Sequence, residues 1–181
     1  MRLGLSTKNN IEKIDVDSSA SSRQKKQDGN YFDSFIGLDF FYDKRNQKFQ
    51  TTDGFYSNYS LELPVLSETN TLTNSYRYKI FTELYENNIS TLSLLLQSSN
   101  SLTGDDVKLS ERLYIPGKRL RGFERGKVGP KDQDDFIGGN YITTINATST
   151  VPKILENIQN VDLVMFAVSA KFNISFSSNM W

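Results

Sequence analysis

Apolar residues along this chain recur mostly at every second position, the period that sets side chains on one face of a β-strand, and helical spacing is hard to find. Over residues 34–43 one face reads Ile36, Leu38, Phe40, Tyr42 and the other Gly37, Asp39, Phe41, Asp43. Residues 55–63 set Phe55, Tyr59, Leu61 and Leu63 against Tyr56, Asn58, Ser60 and Glu62. Residues 76–86 set Tyr76, Tyr78, Ile80 and Leu84 against Arg77, Lys79, Glu83 and Tyr85, and residues 91–97 line up Leu92, Leu94 and Leu96. Further strands are expected at 112–115, 140–151 and 161–172. Segments 18–30, 43–54, 67–75, 87–88 and 98–106, rich in Ser, Asn, Asp, Gly, Lys and Gln, read as turns and loops.

Strand centres roughly 15–20 residues apart exceed the 8–12 typical of a soluble sandwich and suit strands of about ten residues with alternately short and long connections. Aromatics at strand ends, Tyr42, Phe55, Tyr76 and Tyr114, fit a girdle at a membrane interface. Arg77, Lys79, Glu83 and Glu62 oppose the apolar face, which favours a polar lumen over a dry core, because an unpaired buried charge is costly.

Composition narrows the function classes. Hydrophobic residues make up 37%, so their placement matters more than their number. Charges balance at 21 basic and 21 acidic, leaving no broad positive field for a nucleic-acid partner. The absence of cysteine and histidine removes disulfides, thiolate chemistry, the usual zinc sites and imidazole catalysis, so no enzyme, no cofactor and no metal is expected. No run of about 18 apolar residues offers a transmembrane helix. The first 22 residues lack the apolar core of roughly 7–15 residues that a signal peptide needs, so any export signal is expected upstream.

Three chemical motifs fail inspection. Gly122 to Gly126, Lys127 and Val128 look like a phosphate loop, but the spacing is one residue short and Val128 stands where a magnesium-binding hydroxyl belongs. Asp132, Gln133, Asp134 and Asp135 resemble the start of a calcium loop, yet Ile137 takes the place of the turn glycine. The Asn-x-Ser/Thr triplets at Asn58, Asn88, Asn146 and Asn173 read as chance matches in a chain rich in those residues.

The informative stretch is 109–141, a loop carrying Gly117, Gly122, Gly126 and Gly129 before the Gly138-Gly139 pair, too glycine-rich to be regular. Within it Leu120-Arg121-Gly122-Phe123 resembles the Arg-Gly-Phe/Tyr signature in the large loop of BamA-type outer-membrane assembly factors, the bacterial surface antigen family. Ile137-Gly138-Gly139-Asn140 resembles the Gly-Gly-Asn that opens that family's next strand. Ser110-Glu111-Arg112-Leu113-Tyr114 is similar to the family's Ser-Glu-Arg-Phe-Phe. Asp43, Arg45, Phe49 and Gly54 match its Asp-x-Arg-x-x-x-Phe-x-x-x-x-Gly hairpin. The four motifs, in order, cover residues 36–173.

The resemblance implies an all-β fold, an antiparallel meander forming part of a transmembrane β-barrel, with about seven or eight of roughly sixteen strands. Residues 1–30 are assigned to a loop or strand segment and 31–181 to the partial barrel, with the last strands and upstream POTRA domains missing. It implies assembly and insertion of β-barrel proteins in the bacterial outer membrane, unfolded outer-membrane proteins as clients, contact with outer-membrane lipid, and accessory lipoproteins on the periplasmic domains. A two-partner-type secretion pore and a soluble β-rich binding module are the alternatives.

The resemblance further implies that Arg121 pairs with carboxylates on the inner wall, that Gly122 turns the tip and that Phe123 wedges it. The chain departs from the family where a glutamate gives way to Thr148 and an Asp-Ala pair to Val168-Ser169-Ala170. Asp134, Asp135, Glu83 and Glu62 are therefore the carboxylates left to partner Arg121.

Overall fold

The computed structural model describes residues 1–85, 88–124, 126–151 and 163–173. Parts of three expected elements lie outside the described residues: Glu86 and Asn87 at the fourth turn, Val161 and Asp162 at the last strand, and everything after Asn173.

The alternating segments pair into one antiparallel sheet of seven strands. These are β1 (Arg2–Ile14), β2 (Gly29–Asp43), β3 (Gly54–Ser67), β4 (Thr71–Tyr85) and β5 (Asn88–Ser101), followed after a long loop by β8 (Tyr141–Val151) and β9 (Leu163–Asn173). The loop itself carries the small hairpin β6 (Lys131–Asp132) and β7 (Asp135–Phe136). Every strand of the large sheet pairs with its sequence neighbours, so the order is a pure meander, open at β1 and β9 among the described residues. Among those residues no helix is long and apolar enough to cross a membrane.

Register fixes the two faces, since a one-residue slip would turn every side chain over. Leu38 faces Leu61, Phe40 faces Tyr59, and Tyr76 faces both Tyr59 and Leu96, so the apolar sets of adjacent strands fall on one face. That face is exposed at Ile36, Phe40, Leu63, Ile80, Leu92, Ile145 and Met165. An exposed apolar band across a whole sheet is the surface a lipid-facing wall needs. Tyr42, Phe55 and Tyr78 form a ladder at one level of it, with ring centroids 5.8 and 5.7 Å apart.

The opposite, inner face carries Asp39, Glu62, Arg77 and Lys79 and is covered in part by the long loop. The core lies between loop and sheet: Ile115 and Leu120 of the loop bury against Ile142 of β8, with Leu113, Val128, Val168, Ala170 and Phe172 packed around them.

Three local expectations differ from what forms. Residues 112–115 are not a strand: a 3-10 turn at Leu109–Glu111 precedes them, and only Leu113 makes a bridge, to Gly139. Pro116 and Gly117 then end any extended run. Tyr114 therefore sits in the loop, its hydroxyl donating to the Phe136 carbonyl at 3.2 Å, and not in an aromatic girdle. The strands also run 11–15 residues, because Thr71 to Ser75 and Ser98 to Ser101, polar enough to read as loop, continue the ladder. Arg2–Ile14, which the alternation did not single out, is a full strand against β2.

Candidate functional site

The long loop between β5 and β8 leaves the sheet at one end and returns to the same end, and its middle folds back over the inner face. Its geometry divides into a base, a tip and an exit.

The base is residues 106–112. Lys108 and Asp33 of β2 form an ion pair at 2.5 Å, each side chain only 1% exposed. Glu12 of β1 lies 3.2 Å and Glu111 3.7 Å from the same ammonium, and the Tyr31 ring centroid is 4.7 Å away. The remaining oxygens are served: Ser67 donates to Asp33, Ser110 to Glu12 and Thr69 to Glu111. Burial works against the Lys108 charge, but the Asp33 hydrogen bond and the Glu111 and Glu12 carboxylates outweigh it and hold its pKa above the ordinary lysine value. Beside it Arg112 bonds Asp106 at 2.6 Å and the Val107 carbonyl at 3.2 Å.

The connection between β1 and β2 grips the base from the other side. Gln27 accepts from the Leu109 amide at 2.8 Å, and Ser21, which caps the one-turn helix α1 (Ser22–Lys25), donates to Asp132 at 2.5 Å. Among the described residues no set of three or more acidic groups is disposed to hold a metal ion; the carboxylates of Glu12, Asp33 and Glu111 are each turned to Lys108.

The tip is residues 117–124. A 3-10 turn at Gly117–Arg119 presents Arg119 to the inner wall, where its guanidinium donates to the Ser93 hydroxyl of β5 at 3.2 Å and its carbonyl accepts from the Asn146 amide of β8 at 2.6 Å. Burial lowers the Arg119 pKa below the ordinary arginine value, and nearby Arg77 adds to this, though the group stays charged. Leu120 is the buried wedge.

Arg121 forms no ion pair among the described residues. Its guanidinium lies 5.2 Å from the centroid of the Phe166 ring of β9, a cation–π contact on an exposed side chain. The carboxylates expected to serve it are elsewhere: Asp134 and Asp135 are exposed in the β6–β7 hairpin, Glu62 pairs with Lys8, and Glu83 is exposed on β4. At the two departures from the family pattern, Thr148 shares a hydrogen bond with Thr91 at 2.5 Å and Val168 joins the apolar cluster. At these two positions the wall is thus hydroxylic and apolar where a carboxylate was expected. Gly122 turns with a φ of 87°, while Phe123 is 61% exposed and lies at the edge of a small cavity with Ile115, Leu120 and Val128.

The exit is Gly138-Gly139-Asn140. Leu113 and Gly139 exchange both backbone hydrogen bonds at 2.9 Å, and Asn140 donates from its side chain to the Ser99 carbonyl at 3.2 Å. Gly138 has φ 69°, and a Cβ there would lie 2.7 Å from the Leu113 carbonyl, so only glycine fits.

The hairpin motif stands at the other end of the sheet, apart from the loop's base. Asp43 takes both hydrogen bonds of a forked Arg45 contact, at 2.9 and 2.8 Å, and Arg45 stacks 4.8 Å over Tyr56. Gly54, at φ 95°, lets the returning strand pass within contact of the Lys44 carbonyl. Phe49 is 81% exposed at the turn. Motif reading singled out Asp43, Arg45, Gly54 and the Gly138-Gly139-Asn140 exit as positions without assigning the Asp43–Arg45 contact, and did not single out Lys108, Asp33, Arg119 or Ile142. Alternation alone puts Asp33 on the inner face with Phe35 and Gly37, the one signal that pointed to it.

The Omp85 superfamily domain profile matches residues 1–178. Among solved structures, the chain resembles BamA from Haemophilus ducreyi lacking POTRA domains 1–3, with a TM-score of 0.74 and 21% identity over 94% of this chain and 38% of that one. The chain therefore spans well under half the length of that structure. No curated protein matches it.

Proposed function

The chain belongs to the Omp85 superfamily, and from that membership we propose that it forms part of the barrel wall of a factor that assembles and inserts β-barrel proteins into the bacterial outer membrane. The observation that carries the proposal is the inward-held loop, whose first and last motifs, Ser110-Glu111-Arg112 and Gly138-Gly139-Asn140, are tied by hydrogen bonds to each other's neighbourhood and to the sheet. The apolar face then meets lipid and the polar face lines the lumen.

The work proposed is templating, with no covalent step. A membrane sheet tolerates no open edge, so β1 and β9 require neighbours in the bilayer, and a wall whose seam pairs weakly offers its edge to an incoming strand by backbone hydrogen bonding. The loop braces the wall from inside while the seam opens. In this reading the clients are unfolded outer-membrane proteins, the surroundings are outer-membrane lipid, and accessory lipoproteins bind the periplasmic domains of the whole factor.

The test uses the full-length protein in liposomes, presented with a urea-denatured eight-stranded outer-membrane protein, with folding followed by the heat-dependent gel shift of closed barrels. Folding several times faster than in empty liposomes is expected. No acceleration would remove the assembly reading and leave secretion of a dedicated substrate through the lumen.

A further inference from the structure

We propose that the long loop is a flap with a fixed base, and that Lys108 is the residue that fixes it. The base is tied to three separate parts of the sheet by one buried ammonium: β1 through Glu12, β2 through Asp33, and the β3–β4 turn through Glu111, which accepts from Thr69. A buried ammonium with three carboxylate neighbours cannot leave its place without stranding charge, so this end of the loop has one stable position.

The tip is held differently. Arg121, Gly122, Phe123 and Glu124 are all exposed, and among the described residues Arg121 stacks on the partly open Phe166 ring, Arg119 makes the two directed bonds to the wall, and Leu120 packs on Ile142. These contacts re-form or water replaces them without leaving a charge buried. Between base and tip lie the Leu113–Gly139 bridge and then Pro116-Gly117, where a pivot costs the two Arg119 bonds and the apolar packing of Leu120 on Ile142 but no buried ion pair. Release of the tip therefore uncovers the inner wall at β5, β8 and β9 while the base stays on β1–β3. The inference concerns the loop alone and stands or falls apart from insertion activity.

Hydrogen exchange on the unmodified full-length protein in nanodiscs tests it first. The amides of Leu109, Glu111 and Arg112, bonded to Gln27 and to the Lys108 and Leu109 carbonyls, should exchange at least about tenfold more slowly than those of residues 121–124. Equal rates in the two segments overturn the proposal, whether both are fast or both slow. Lys108→Met, in protein that still shows the gel shift of a closed barrel, should bring the base to the rate of the tip, and Asp33→Asn should move it part of the way. A folded Lys108→Met protein with an unchanged base overturns it as well. Should that variant fail to fold, Asp33→Asn and the unmodified protein decide.

Discussion

At the base of the long loop a lysine and an aspartate sit 1% exposed with two further carboxylates near the same ammonium, whereas at the tip an arginine projects from the wall and a leucine and an isoleucine press on Ile142. Both regions attach one loop to one sheet. Apolar contact weakens gradually as side chains shrink. A buried ion cluster is all or nothing, because removing one partner leaves the others charged in a poor solvent. The loop thus joins an attachment that fails abruptly to one that yields by degrees, a few residues apart.

The sharpest way to break the comparison is at Lys108. Lys108→Met should cost about 3–5 kcal/mol of stability in the full-length protein, read by urea unfolding in detergent. Adding Asp33→Leu should recover part of that loss, since the fully buried carboxylate goes with the ammonium while Glu12 and Glu111, 26% and 13% exposed, are left without it; a double variant as unstable as the sum of the singles would mean that the two side chains do not act as a pair. Next in size, Leu120→Ala should cost about 2–3 kcal/mol through lost burial and the void left against Ile142, without changing exchange at the base.

Smaller still is Arg121→Ala, expected to change stability by about 0.5–1 kcal/mol, the worth of an exposed cation–π contact. Arg119→Ala should exceed it, because Arg119 donates to Ser93 from a partly buried position. A larger loss at Arg121, measured on the same unfolding curve, would show a carboxylate reaching it from elsewhere in the assembled barrel.

The smallest effect is with pH. Lys108 faces Glu12 from β1, Asp33 and Tyr31 from β2 and Glu111 from its own loop. Its raised pKa means its contribution is complete below the unfolded value of 10.5 and is lost only as pH climbs through the higher folded value. Protease cleavage of the loop should therefore be flat in its Lys108-dependent part between about pH 6 and pH 9 and should rise only beyond the lysine range.

Much of the fold is written in local pattern. Period-two alternation gave the places of β2, β3, β4, β5, β8 and β9 and the sides their residues face, since a strand's two faces are fixed by parity alone. It was silent where apolar residues are few: β1 has Leu3, Leu5, Ile11 and Ile14 set among Ser, Thr, Asn and Lys, and forms because β2 offers it a complete ladder. The polar ends of β4 and β5 read as loop for the same reason. Glycine positions were legible because the constraint is in the residue itself, as at Gly54 and Gly138, where a Cβ has no room.

The partners of charged side chains were not legible. Lys108 and Asp33 are 75 residues apart, and whether each finds the other or water depends on how the sheet brings β2 beneath the start of the loop. Arg121 shows the converse: its motif was plain in sequence, but the group it meets is the Phe166 ring of β9, which the register of β8 on β9 sets opposite Thr148. Strand, face and turn are settled by neighbours along the chain, which the sequence contains. Ion pairs and packing are settled by neighbours across it, at distances only the assembled sheet defines.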